Sequence, residues 1–205
     1  MRKLRLPILA AALAFAASLF AVHAAGQQLP AVGQMASGFT LPSQDSTPIS
    51  LDSFRGQWVV LYFYPKDMTP GCTIEAHNFQ RDLALYQARK TVILGVSLDS
   101  PESHQQFCTK ESLTFRLLAD TAHTVTTAYG SLGSFGATPV ANRNTFLIDP
   151  TGKIAQVWTS VNPSTTSATV LAAIPLPAGS VKPPTAQNLS VKPPTSQTQT
   201  ATPPK

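Results

Sequence analysis

Two cysteines, Cys72 and Cys108, are the side chains of this 205-residue chain best suited to redox chemistry. They stand too far apart for a Cys-x-x-Cys pair, and four scattered histidines give no zinc-type ligand spacing. By count alone, two cysteines in an exported protein read as a structural disulfide. The surroundings of Cys72 point instead to a reactive thiol. It closes the segment Pro65-Lys66-Asp67-Met68-Thr69-Pro70-Gly71-Cys72, between an apolar run and a helical pattern. A sulfur at such a junction faces unpaired backbone N–H groups and the positive end of a helix dipole, which lower a thiol's pKa and make it nucleophilic. Gly71 permits close backbone approach and Pro70 stiffens the turn. The Thr69 hydroxyl can donate to a thiolate and accept from a substrate hydroxyl. An arginine delivered from a neighbouring strand would complete an anion-stabilising site. Arg143, at the start of a strand, suits that role, with a surface ion pair as its alternative.

The elements that must position these groups follow from periodicity. Trp58 to Tyr64 is a continuous apolar and aromatic run, the pattern of a central strand covered on both faces. A helical pattern from Thr73 to about Lys90 places Phe79, Leu83 and Tyr86 at helical spacing, and Val92 to Leu98 reads as a second buried strand. Ser100-Pro101-Glu102 is a helix start, with a capping hydroxyl and proline at the first position. That helix carries His104, Phe107 and Cys108 and ends near Ser112. Phe115 to Ala119, Arg143 to Ile148 and Ile154 to Trp158 are further strands, the last two joined by the turn Asp149-Pro150-Thr151-Gly152. Phe39-Thr40-Leu41 and Ile49-Ser50-Leu51 form a short N-terminal hairpin. A last helix over Ser164 to Ala173 is rich in Ser and Thr, and its boundary is weakly specified. Strands alternating with helices predict an α/β sandwich with a central mixed sheet.

The two ends read differently. Met1 to Ala24 carries Arg2, Lys3 and Arg5, an apolar run to Val22 and a small-residue site ending at Ala24, which is a signal peptide pattern; an uncleaved anchor is the alternative. Export and cleavage would place the protein in the periplasm or outside the cell, without stable membrane association. Residues 175–205 repeat Ser-Val-Lys-Pro-Pro-Thr and offer little apolar surface, so a disordered Pro/Thr-rich tail is expected, either solvated or partner-binding. The leader and the tail each hold three of the 15 basic residues. The remaining nine face all ten acidic residues, so the one-domain core at residues 25–174 carries a net charge of −1, and nucleic-acid binding loses its support.

The segment Tyr62-Phe63-Tyr64-Pro65-Lys66-Asp67-Met68-Thr69-Pro70-Gly71-Cys72-Thr73-Ile74-Glu75-Ala76 resembles the active-site segment of peroxiredoxins, specifically the Q-type group also called bacterioferritin comigratory proteins. The similarity continues through Phe39 to Leu41, Leu51 to Val60, His104 to Phe107, Phe115 to Asp120, and Arg143-Asn144-Thr145-Phe146-Leu147-Ile148-Asp149 with Gly152 to Ile154. It covers nearly the whole core. The resemblance implies a thioredoxin-like fold and a monomer that reduces hydrogen peroxide or organic hydroperoxides, with no metal, flavin or haem. Cys72 is then the peroxidatic cysteine and forms a sulfenic acid. Thr69 and Arg143 hold and polarise the peroxide, Pro65 shields the sulfur from water, and Glu75 orients the arginine.

Many members of the group carry a second cysteine five residues after the first, where this chain has His77. The resemblance to members with a resolving cysteine on the following helix assigns that role to Cys108, through an intramolecular disulfide. The reductant is a dithiol such as a thioredoxin-like protein, which for an exported enzyme must lie outside the cytoplasm. Two rivals are a thioredoxin-like disulfide oxidoreductase, weakened because Glu75 stands where its second cysteine would be, and a non-catalytic binding module with a structural disulfide.

Overall fold

The computed structural model describes residues 28–176; the leader at residues 1–24 and nearly all of the tail at residues 175–205 lie outside the described residues. A hairpin of β1 (Thr40–Pro42) and β2 (Pro48–Ser50) comes first, with Leu41 opposite Ile49. After a 3-10 turn at Leu51–Phe54 come β3 (Trp58–Phe63), α1 (Pro70–Ala88), β4 (Thr91–Ser97), α2 (Pro101–Glu111) and β5 (Arg116–Ala119). The chain continues through α3 (Thr124–Ala128), β6 (Leu132–Phe135), β7 (Thr138–Ala141), β8 (Thr145–Ile148), β9 (Ile154–Trp158) and α4 (Thr166–Ala173). Five strands make the central sheet in the order β5-β4-β3-β8-β9. The first three are mutually parallel; β8 runs antiparallel to both of its neighbours, β3 and β9. This is the mixed, helix-flanked sheet expected from the alternation of patterns.

Strand β3 lies in the middle because its side chains are apolar on both faces. Val60 and Tyr62 face one cluster with Phe79, Tyr86, Phe107 and Leu117. Val59, Leu61 and Phe63 face the other, with Val96, Tyr129, Phe146 and Ile154. Tyr62 stands opposite Gly95 on one side and Thr145 on the other. A β-carbon on Gly95 would lie 2.7 Å from the Tyr62 ring, so glycine there is what admits that ring.

Helix α1 starts at Pro70, three residues before the apolar periodicity begins, because proline at the first helical position needs no hydrogen bond and already has helical φ. The last helix, α4, is compensated by tertiary bonds for its weak propensity. Tyr86 donates to the Ser167 carbonyl at 2.7 Å, Ser167 Oγ donates to Asp82 at 2.8 Å, and Arg89 reaches the Leu171 and Ile174 carbonyls at the helix end.

Two elements carry no strong sequence signal. Four of the five residues of α3 are β-branched and poor helix formers, held by Asp120, whose carboxylate accepts from the backbone and hydroxyls of both Thr124 and Thr126. The β6–β7 hairpin is short and mostly exposed, so it shows no apolar alternation.

Helix α1 couples the sheet to α4 through apolar burial at Phe79 and a hydrogen bond at Tyr86. Phe79→Ala is expected to destabilise the protein by about 3–5 kcal/mol, and Tyr86→Phe by about 1 kcal/mol. Urea denaturation curves of the two variants measure both.

Candidate active site

Residues 64–69 carry the chain from β3 into α1. Tyr64 is buried, and its hydroxyl donates to Asp67 Oδ1 at 2.7 Å, folding the segment back on itself. The Asp67 N–H donates to Asp99 Oδ2 at 2.9 Å, which pins the segment to the loop after β4. Between these anchors Met68 is held at φ 58°, a left-handed conformation that a β-branch-free side chain tolerates only at a cost. Thr69 is then extended and caps α1, with Pro70 first in the helix.

Cys72 is therefore the third helical residue. The N–H groups of Gly71 and Cys72 precede the first helical hydrogen bond, from the Thr73 N–H to the Thr69 carbonyl at 2.9 Å. Its sulfur is nearly dry, with the residue only 2% exposed. Arg143 donates from Nη2 to Cys72 Sγ at 3.2 Å and from Nη1 to Glu75 Oε2 at 2.7 Å. Glu75, one helical turn after Gly71, is fully buried. One guanidinium thus bridges the thiol and a buried carboxylate. Gly71 makes room for it: a β-carbon there would lie 2.9 Å from Arg143 Nη2.

Arg143 precedes β8 rather than starting it. It is fixed by its neighbours. Its carbonyl accepts from the Val161 N–H at 3.0 Å, and the Asn144 carbonyl accepts from the Phe63 N–H at 2.8 Å. The Asn144 side chain also bonds Ser131 and the Ser160 N–H.

Burial pushes the Glu75 carboxyl up to about 7, while the Arg143 guanidinium pulls the other way. Because this shift is upward, the neutral form is favoured in the folded protein. The associated stability is present at acid pH and is lost as pH rises through about 7.

The remaining residues predicted from sequence are placed as follows. The Thr69 hydroxyl donates to the Lys66 carbonyl at 3.0 Å rather than to the sulfur, because the turn exposes that carbonyl three residues back. Its oxygen remains available as an acceptor. Pro65 is half-buried where β3 leads into the loop. Cys108 is a free, buried thiol on α2, pushed up to about 11 by burial and, secondarily, by the Asp67 carboxylate. His77 is half-exposed and pairs with Glu111 at 3.0 Å.

A second polar cluster escaped the reading of the sequence. His104 Nδ1 lies 2.9 Å from Asp67 Oδ2, which also accepts from Ser103 Oγ at 2.7 Å. These residues join α2 to the segment ahead of Cys72. The available signal was an aspartate inside that segment and a histidine on the predicted buried face of the next helix.

This arrangement has counterparts in known proteins. The model of the AhpC/TSA family matches residues 32–157, more than half of the chain. Peroxiredoxin Bcp of Escherichia coli is 41% identical over 130 residues, covering 62% of this chain and 83% of that protein. Peroxiredoxin Bcp of Bacillus subtilis is 39% identical over 134 residues, covering 63% and 85%. Among solved structures, the PrxQ variant of Xylella fastidiosa superposes with a TM-score of 0.68 at 32% identity, covering 71% of this chain and 96% of that one. Peroxidoxin BcpB of Mycobacterium tuberculosis superposes with a TM-score of 0.67 at 29% identity, covering 72% and 97%. With its thioredoxin fold and a buried cysteine held by an arginine at a helix start, the chain belongs to the AhpC/TSA family and is a thiol-dependent peroxidase of the Bcp/PrxQ peroxiredoxin type.

Proposed function

We propose that this peroxidase reduces hydrogen peroxide and organic hydroperoxides outside the cytoplasm, through a Cys72 sulfenic acid that Cys108 resolves as an intramolecular disulfide. The observation that carries the first half is the bridge from Arg143 to both Cys72 Sγ and Glu75. The Cys72 thiolate attacks one peroxide oxygen; an S–O bond forms and the O–O bond breaks. The departing oxygen leaves as water or an alcohol after taking up a proton. Arg143 Nη2 stabilises the charge that develops, and the Thr69 oxygen accepts from the peroxide hydroxyl and orients it. Glu75 holds the guanidinium in that direction, and Pro65 and the low exposure of the site limit water at the sulfenic acid. A solved structure of the bacterioferritin comigratory protein of Xanthomonas campestris concerns alkyl peroxide reduction, which supports organic hydroperoxides as substrates here.

For the second half, Cys108 sits on the helix after the one whose first turn carries Cys72, and both thiols are free. In two solved variants of Xanthomonas campestris peroxiredoxin Q, the cysteines replaced by serine are separated by as many residues as Cys72 and Cys108 are. An intramolecular pair requires no second subunit, so a monomer suffices. The leader pattern supports export, and export requires a thioredoxin-like dithiol reductant in the same compartment.

Reduced protein treated with one equivalent of hydrogen peroxide should yield a Cys72–Cys108 disulfide by non-reducing mass spectrometry. Cys108→Ser should accumulate sulfenic acid at Cys72, and Cys72→Ser should form neither product. If neither thiol outpaces a free cysteine, the mechanism is wrong.

The Glu75 shift makes a separate pH prediction. Above pH 7 the carboxylate is ionised and grips Arg143; below it, Glu75 is neutral and no better than an amide. The ratio of wild-type to Glu75→Gln peroxide rates should therefore be about tenfold, equivalent to about 1.4 kcal/mol, near pH 8. It should shrink towards one by pH 5.5. A ratio independent of pH would separate Glu75 ionisation from the rate.

A further inference from the structure

His104 is fully buried on α2, yet its Nε2 has no hydrogen-bond partner among the described residues. The other ring nitrogen is fully engaged. Nδ1 lies 2.9 Å from Asp67 Oδ2, and the same carboxylate accepts from Tyr64 at 2.7 Å and from Ser103 at 2.7 Å. Burial, reinforced by Asp67, pushes the Tyr64 phenol upward, so it stays a donor. Asp67 accepts from its neighbours, which places a proton on Nδ1; in the neutral imidazole the lone pair then lies on Nε2. A buried acceptor without a partner is costly, so this tautomer asks for a proton donor that arrives later.

Cys108 is that donor by position. It follows His104 by one helical turn, and both lie on the buried face of α2. Helical side chains lean towards the helix start, so the Cys108 thiol leans over the turn that carries His104. The two halves of α2 are held unequally. The first half is capped by Ser100 and anchored through Ser103 and His104 to Asp67. The second ends at Ser112 with φ 54°, and its one polar tie to α1 among the described residues is Glu111, paired at 3.0 Å with the half-exposed His77. Fraying from that end would release Cys108 while the base keeps its hold. Cys108 also needs a base, because as a buried thiol it is protonated at neutral pH and the thiol form is not the nucleophile.

We propose that His104, oriented by Asp67, is the general base of the resolving step and takes the proton from Cys108 as that sulfur attacks Cys72. This rests on the reading of Cys108 as the resolving cysteine. The S–H bond of Cys108 breaks, with the proton passing to Nε2; an S–S bond forms as the S–O bond of the Cys72 sulfenic acid breaks. The hydroxide leaves and takes the proton from the imidazolium to become water. The Cys108 sulfur is oxidised and the Cys72 sulfur reduced, so atoms and electrons balance. The dyad has the logic of a Cys-His-Asp triad applied to the second thiol rather than the first.

The titratable groups around the imidazole are Asp67 and Tyr64 from the segment after β3, with Asp99 joined through the Asp67 N–H, and Cys108 lies one turn further along its own helix. The test follows the two steps separately in the full-length chain after rapid mixing with hydrogen peroxide. Sulfenic acid is trapped with a cyclic diketone, and the disulfide is followed by quenched mass spectrometry, from pH 5.5 to 9.5. His104→Asn keeps an N–H for Asp67 and deletes Nε2. Relative to its own first step, its disulfide formation should fall at least about tenfold near pH 7, recover as pH rises towards Cys108 ionisation, and be restored in part by added imidazole.

A ratio within threefold of wild type at every pH overturns the proposal. A faster second step also overturns it, showing that His104 only latches α2 in place. Failure of wild type to form the Cys72–Cys108 disulfide refutes the resolving role of Cys108 instead. The wild type supplies an independent check should the variant not fold: the resolving step should show a normal solvent deuterium isotope effect, and none would overturn the proposal.

Discussion

A guanidinium that must meet a sulfur and a carboxylate at once sets most of the remaining geometry. Arg143 reaches Cys72 and Glu75 from outside α1, across the end of the sheet, so both partners have to project from the first turns of one helix towards one point. Cys72 and Glu75, three residues apart, do so because that spacing stacks side chains on one helical face. The cost of burying Glu75 is offset only while the guanidinium stays in place. The Asn144 bonds to Phe63, Ser131 and Ser160, and the missing side chain at Gly71, are what keep it there.

Strand β3 transmits that requirement to the fold. Its residues are apolar on both faces, which forces it into the centre of the sheet, and the centre is where α1 can begin over the strand end with Arg143 beside it. The same strand supplies Tyr62 to the floor beneath α1 and α2, packed against Phe79 at a ring separation of 4.6 Å. Just past the strand, Tyr64 enters the Asp67 network. The two thiols therefore share one floor, and the carboxylate that shapes the segment ahead of Cys72 also holds the histidine one turn from Cys108.

Order in the two thiol environments differs in kind. Cys72 sits at a helix start with the Arg143 guanidinium 3.2 Å from its sulfur. Cys108 sits mid-helix beside Phe107 with a carboxylate nearby, where burial favours the protonated thiol.

Much of this was legible in the residues themselves. The apolar run at Trp58 to Tyr64, the proline and glycine before Cys72 and the capped start at Ser100 are local patterns, and each acts through its own backbone geometry. They determined the central strand, the thiol at the helix start and the buried face of the second helix. The start of α1 at Pro70 and the existence of α3 were less legible, since a proline cap and the four bonds from Asp120 replace periodicity there. What only the tertiary structure decided was the geometry at which distant groups meet: Arg143 with Cys72 and Glu75, and Asp67 with His104. Those meetings depend on how strands register and helices pack over long separations in the chain, and on a dry interior in which a charge or lone pair without a partner is costly. Neither quantity is encoded in any one stretch of residues.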